Sequence, residues 1–281
     1  MAATDFSAQV AAGERFEFGE NWSRFLRVIG EPRIAEAEAS LRTMLGRDQL
    51  TGLNFVDVGS GSGLFSLAAA RMGAARVHSF DFDPSSVGCT QELRRRFAPP
   101  GTEWTVERGS ALDADYLASL GVFDIVYSWG VLHHTGDMWT AIDNVAQLVA
   151  EGGLLFISIY NDQGRRSRMW RRVKRLYNEL PAAARVPYVA AVMAPREALS
   201  AARVSVRGRP MDYVRGWTEY KTRRGMSRWH DLVDWVGGYP FEVSTPEAVF
   251  ERLHARGFTL ERLQTCGGGL GCNQFVFARV R

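Results

Sequence analysis

Along the first 160 positions, short apolar runs alternate with stretches in which apolar residues return every three or four positions. The runs at 54–58, 76–81, 103–108, 123–128 and 153–159 read as strands. The stretches at 64–72, 84–97 and 139–149 read as helices, and residues 22–45 as one or two more. Strands separated by helices at this pitch predict a parallel, doubly wound α/β sheet, with strands apolar enough to be buried on both faces. Beyond 160 the alternation stops. Residues 161–243 are basic and aromatic, with helical periodicity at 170–180 and 186–203. The pattern resumes with a helix at 246–256 and strands at 258–265 and 274–279, close enough across the Gly267–Gly271 turn to pair antiparallel. Four regions follow: an N-terminal helical cap (1–48), a core (49–160), an insertion (161–243) and a helix and hairpin completing the core (244–281).

Composition narrows the class. Of 281 residues, 46% are hydrophobic and 23% charged, the balance of a globular enzyme, and no apolar run approaches the ~18 residues of a membrane span. The N-terminus lacks the basic start and apolar core of a signal peptide. Three cysteines, Cys89, Cys266 and Cys272, are too few and too poorly spaced for a disulfide scaffold or a zinc site. The expectation is a cytoplasmic enzyme without metal. The net charge of +3 conceals an asymmetry, because residues 161–229 hold seventeen Lys or Arg against five Asp or Glu. Such segregation speaks of partners rather than of fold.

The chemistry concentrates at VDVGSGSG, residues 56–63, between a strand and a helix. Glycines 59, 61 and 63 let the backbone turn tightly and approach a ligand, and the following helix offers free N–H groups to a carboxylate. The spacing GxGxG differs from the GxGxxG of nicotinamide enzymes. Asp57, ahead of the loop, suits a cationic amino-acid ligand better than a pyrophosphate. Asp81 closes the second strand, where an acid can bind both ribose hydroxyls. Ser110 and Ala111 follow the third strand where an adenine ring would rest, and Phe82 is placed to stack on it. Asp83, before Pro84, reads as a helix cap.

The order DVGSGSG, an acid ending the second strand, GSALD, then FDIVYSWGVLHH resembles the class I methyltransferases, in particular the branch holding the quinone-biosynthesis methylases. The likeness covers residues 50–160 and, more loosely, 245–281. It implies a Rossmann-like sheet with a closing antiparallel hairpin and S-adenosylmethionine (SAM) as cofactor, S-adenosylhomocysteine (SAH) being the product. It further implies that Asp57, Gly59, Ser60, Gly61 and Gly63 hold the methionine part, Asp81 the ribose, and Ser110 and Ala111 the adenine. Ser128 and Trp129 would flank the methionine and sulfonium. Many members carry Asp where Ser110 stands.

His133 and His134 follow the fourth strand, on the side where the methyl group leaves. Either imidazole can take a proton from a hydroxyl or ammonium acceptor, with His133 the first choice; a methyl transfer that depends on proximity alone needs neither. The insertion is expected to act as an acceptor lid, using Arg168 and Arg172 and the aromatics Trp217, Tyr220, Trp229 and Tyr239, with Phe18 and Trp22 closing from the N-terminal side. The alternative for the arginines is a solvated face, and for the aromatics a small core of the insertion's own. The expected acceptor is a small molecule, aromatic, anionic or both, methylated on O or N. RNA or protein methylation is the competing enzyme reading, since a basic lid can grip phosphates, although no RNA-binding module or Asn-Pro-Pro-Tyr motif occurs. A module that binds the cofactor without turnover is a third reading. The sequence does not fix the oligomeric state.

Overall fold

The computed structural model describes residues 6–19, 22, 26, 29–218 and 228–280. Seven strands form one sheet in the order β3-β2-β1-β4-β5-β7-β6. They are β1 (Asn54–Val58), β2 (Arg76–Asp81), β3 (Glu103–Arg108), β4 (Phe123–Trp129), β5 (Val149–Tyr160), β6 (Phe258–Gln264) and β7 (Cys272–Arg279). β1 to β5 pair in parallel, whereas β7 runs antiparallel between β5 and β6, with Tyr160 opposite Cys272 and Phe258 opposite Arg279. The strand order reverses between β1 and β4, and in open α/β sheets ligands bind beyond the strand C-termini at that point.

The helices are α1 (Phe6–Ala11), α2 (Glu31–Leu45), α3 (Leu64–Arg71), α4 (Pro84–Phe97), α5 (Ala114–Leu120), α6 (Met138–Gln147), α7 (Arg165–Glu179), α8 (Ala182–Val206), α9 (Pro210–Thr218), α10 (Arg228–Gly237) and α11 (Pro246–His254). Their starts follow local chemistry. Asp83 accepts from the Ser85 N–H, Asp137 from Thr140 and Thr245 from Ala248, each satisfying an otherwise unpaired first-turn donor. α5 is absent from the sequence reading; it is a short, Asp113-capped helix of seven residues whose Leu117 alone is buried. β5 begins four residues earlier than the apolar run suggests, through a register irregularity opposite Phe123 and Ile125. In the 22–45 stretch the described helix starts at Glu31, after Gly30 and with Pro32 in its first turn.

Each face of the sheet has its own core. On one, Phe55, Val77, Ile125 and Phe156 pack against α2, α3 and α4; on the other, Val56, Val126, Leu155 and Phe275 pack against α6 and α11. α7, α8 and α10 build a third core around Tyr177, Val189, Met193, Leu232 and Val236. Among the described residues no helix is long and apolar enough to cross a membrane.

Candidate active site

The glycine loop leaves β1 in a conformation that requires its glycines. Gly59 has φ +77°, and a Cβ there would lie 2.3 Å from a methyl carbon of Val131; at Gly63, with φ +78°, it would lie 2.8 Å from Thr90. Ser60 Oγ is hydrogen-bonded to Thr90 Oγ1 at 2.9 Å, pinning the loop to α4.

Two acids sit beneath this loop. Asp57 is buried, and Ser66 Oγ donates to its Oδ2 at 2.5 Å. Burial, opposed by that hydrogen bond, pushes its carboxyl up to about 7. Asp81 accepts from the Gly61 N–H and the Asp83 N–H, each at 2.9 Å. Burial pushes it up to about 6 despite those bonds. Among the described residues neither acid is in an ion pair. Two buried carboxylates without a cation in contact form a site that favours a positively charged ligand. On the same face of the sheet the buried Tyr127 Oη has no hydrogen-bond partner among the described residues. Buried acids outside any described ion pair, beside a glycine loop, fit the ammonium and sulfonium of SAM.

The other expected cofactor residues fall into two groups. The Phe82 ring packs against Phe6, with the Arg15 and Arg108 guanidinium carbons 5.1 and 5.5 Å from its centroid. Ser110 caps its own turn by accepting from the Leu112 N–H, and Ala111 is buried, its carbonyl held by Asn144. Ser128, by contrast, spends its hydroxyl on the Val58 carbonyl at 2.9 Å, where it fastens β4 to β1. Trp129 is 44% exposed, with its indole N–H donating to Gln274.

The histidines occupy a 3-10 turn, Leu132–His134, beyond β4, and are held in opposite tautomers. His134 Nδ1 lies 2.5 Å from the Pro240 carbonyl. A carbonyl only accepts, so Nδ1 carries the proton and Nε2 presents its lone pair. His133 Nδ1 accepts from the Tyr160 N–H at 3.3 Å, so its proton sits on Nε2, which is buried without a partner. Burial lowers His134 to about 3 and holds His133 well below the ordinary imidazole range, and at neutral pH both are uncharged.

Aromatic rings enclose this pair. The Tyr160 ring lies 4.1 Å from His133 and 5.2 Å from Phe241, and Phe18 lies 5.0 Å from His134. Lys174 of α7 enters the same cluster: it is 1% exposed, donates to the Trp235 carbonyl, and stands 4.8 Å from the Trp235 and 4.9 Å from the Phe241 ring centroids. Burial lowers its amine to about 7, with Asp234 acting in the opposite direction. Described residues of the N-terminal segment contact both groups. Arg15 donates to the His134 and Thr135 carbonyls, the Gly19 N–H donates to Asp83, and Trp22 lies against Gly61.

Several expected acceptor contacts lie elsewhere. Arg168 and Arg172 are on the exposed side of α7, whose inward residues are Ser167, Lys174, Tyr177 and Asn178. Trp217 and Trp229 pack into the third core, and the Tyr239 carbonyl receives the Phe16 N–H. Trp22 lies against Gly61 of the glycine loop. Tyr220 lies outside the described residues. Arg15, Ser66, Tyr160 and Lys174 were not singled out as site residues from the sequence. Ser66 carried a signal, as a polar residue in the otherwise apolar first turns of α3, and so did Tyr160, the last residue of a central strand.

Comparison with known proteins bears on the family and the fold. A ubiquinone biosynthesis O-methyltransferase of Rhizobium etli (strain CIAT 652) is 35% identical over 137 residues, 46% of this chain and 52% of that protein. The chain thus spans about half the length of such curated relatives. A ribosomal protein L11 methyltransferase of Anoxybacillus flavithermus is 34% identical over 91 residues, 28% of this chain and 29% of its own. The crystal structure of magnesium protoporphyrin IX methyltransferase from Synechocystis PCC 6803 with bound SAM superposes with a TM-score of 0.55 over 99% of both chains at 14% identity, a likeness of fold. The family described as "Methyltransferase domain" matches residues 29–191, more than half of the chain. The protein therefore belongs to that family and is a class I methyltransferase with SAM as its cofactor.

Proposed function

We propose that the enzyme methylates an oxygen or nitrogen of a small-molecule acceptor that is aromatic, anionic or both. The observation that carries this reading is the enclosed cluster of Tyr160, Trp235, Phe241 and Lys174 around two neutral histidines at the C-terminal ends of β4 and β5. Aromatic walls with few polar groups suit a small ring, and a buried amine whose hydrogen bond among the described residues is to the Trp235 carbonyl suits an oxygen that bears negative charge.

The bound cofactor supplies an electrophilic methyl group. Asp57 and the 59–63 loop would hold its amino-acid part, Asp81 its ribose, and Phe82, Ser110 and Ala111 its adenine side. Arg15, Gly19 and Trp22 would cover it and exclude water. His134 is better placed than His133 to receive the acceptor proton, because its Nε2 bears the lone pair, whereas His133 presents a donor. An imidazole this hard to protonate acts mainly by aligning the acceptor, a role worth less than full proton transfer.

The deciding experiment is incubation with methyl-labelled SAM and either small-molecule or macromolecular fractions of a cell extract. Label in the small-molecule fraction supports the proposal; label confined to RNA or protein overturns it. The macromolecular reading draws on one observation, the exposed arginines of α7.

A further inference from the structure

A continuous hydrogen-bond relay runs behind the cofactor loop. Trp104 Nε1 donates to Ser79 Oγ at 2.8 Å, Ser79 Oγ to Ser66 Oγ at 2.8 Å, and Ser66 Oγ to Asp57 Oδ2 at 2.5 Å. It crosses the molecule from the edge strand β3 through β2 and α3 to β1. Trp104 is 5% exposed, Ser79 and Ser66 0% and Asp57 2%. Chemistry dictates its direction. An indole N–H only donates, so Ser79 must accept and send its single proton onward; Ser66 then has one proton left, and the carboxylate receives it. A buried chain of this kind polarises each member toward the charged end.

We propose that Ser66, and behind it Ser79 and Trp104, are positioning residues for Asp57. They hold its carboxylate in the orientation that receives the cofactor's amino-acid portion, so that cofactor affinity is set in part by residues that never touch the cofactor. This rests on Asp57 being a cofactor ligand. Neither a glycine-loop motif nor the sheet topology requires the relay, because Ser66, Ser79 and Trp104 lie on three different elements and meet only in the folded chain. The polarity of the relay favours the ionised carboxylate against the surrounding apolar core, which gives it a signature that packing alone would lack.

The test is calorimetric titration of the whole protein with SAH from pH 6 to 9. Ser66→Ala is expected to weaken binding about fivefold at pH 7 and about tenfold at pH 6, the scale of one charge-assisted hydrogen bond. It should also move the acid-side fall in affinity upward by about one pH unit. Affinity should return toward that of the unmodified protein at pH 9, where Asp57 is ionised in both. Trp104→Phe, which keeps the packing and removes the N–H, should shift the profile in the same direction by less, and Ser79→Ala offers a second interruption. A Ser66→Ala profile parallel to that of the unmodified protein, or superimposed on it, overturns the relay while leaving the cofactor site intact. Failure of the unmodified protein to bind SAH overturns the site itself, and the relay's role with it.

Discussion

Asp57, the residue proposed to hold the cofactor's amino-acid part, sets stability against that binding. Its carboxyl is raised from 3.8 to about 7 by burial. The folded protein therefore holds a proton that the unfolded chain has released, and the resulting stabilisation is present in full below about pH 4 and lost as pH rises through 7. Asp57→Asn removes that loss. At pH 8 the cofactor-free variant should be more stable, with about 4 kcal/mol as the upper limit set by the raised pKa, and denaturant titration checks it. The same variant should lose the stabilisation that SAH confers on the parent. Because binding of a cation requires the ionised acid, SAH affinity should fall roughly tenfold between pH 8 and pH 6, with Asp81 at about 6 steepening the fall. His134→Ala should lower kcat by about 10²-fold, at the low end for a proton-handling group, and His133→Ala by less. With His134 at about 3, the kcat profile should show no imidazole limb between pH 6 and 7; a clear limb there would mean that the pair is charged in the working enzyme. Asp57, Asp81 and the histidines stand out in the sequence as candidates because each adjoins a strand end. The sequence did not order the histidines, since their tautomers depend on the Pro240 carbonyl and the Tyr160 N–H, and the Pro240 carbonyl lies about a hundred residues away in the chain.

At the scale of elements, the core strands were legible because their apolar runs are bounded by glycines and capped helices. The insertion was less so. Its basic periodicity marked α7 as a helix but not which side faces inward, because one lysine among six arginines turns to the interior. That side caps α10: Lys174 donates to the Trp235 carbonyl and Asn178 to the Gly237 carbonyl, groups that a helix end leaves unpaired. The two caps should separate on mutation. Asn178→Ala should cost about 1–3 kcal/mol, the penalty for an unsatisfied buried carbonyl, read as a lower Tm. Lys174→Met should cost less, because it also removes a buried amine that is expensive to charge, yet it should raise the KM for an anionic acceptor while SAH affinity holds. Unchanged KM would make Lys174 a scaffold residue only.

For the molecule as a whole, the charge asymmetry is a property of the surface. Arg168 and Arg172 stand in solvent, and charge reversal at both should leave the acceptor KM unchanged and largely insensitive to salt. A salt-sensitive loss of turnover would instead favour a polyanionic substrate. The antiparallel β7 carries a consequence for how the molecule is made. β5 and β7 are neighbours in the sheet but far apart in the chain, with the whole helical insertion and β6 between them. During synthesis from the N-terminal end, the glycine loop and the five parallel strands emerge while the hydrogen-bonding edge of β5, from Leu154 to Tyr160, still lacks its partner. Until β7 is translated, that nascent edge is open to wrong pairing, and a ribosome stalled within the insertion would hold a half-sheet that chaperones have reason to recognise.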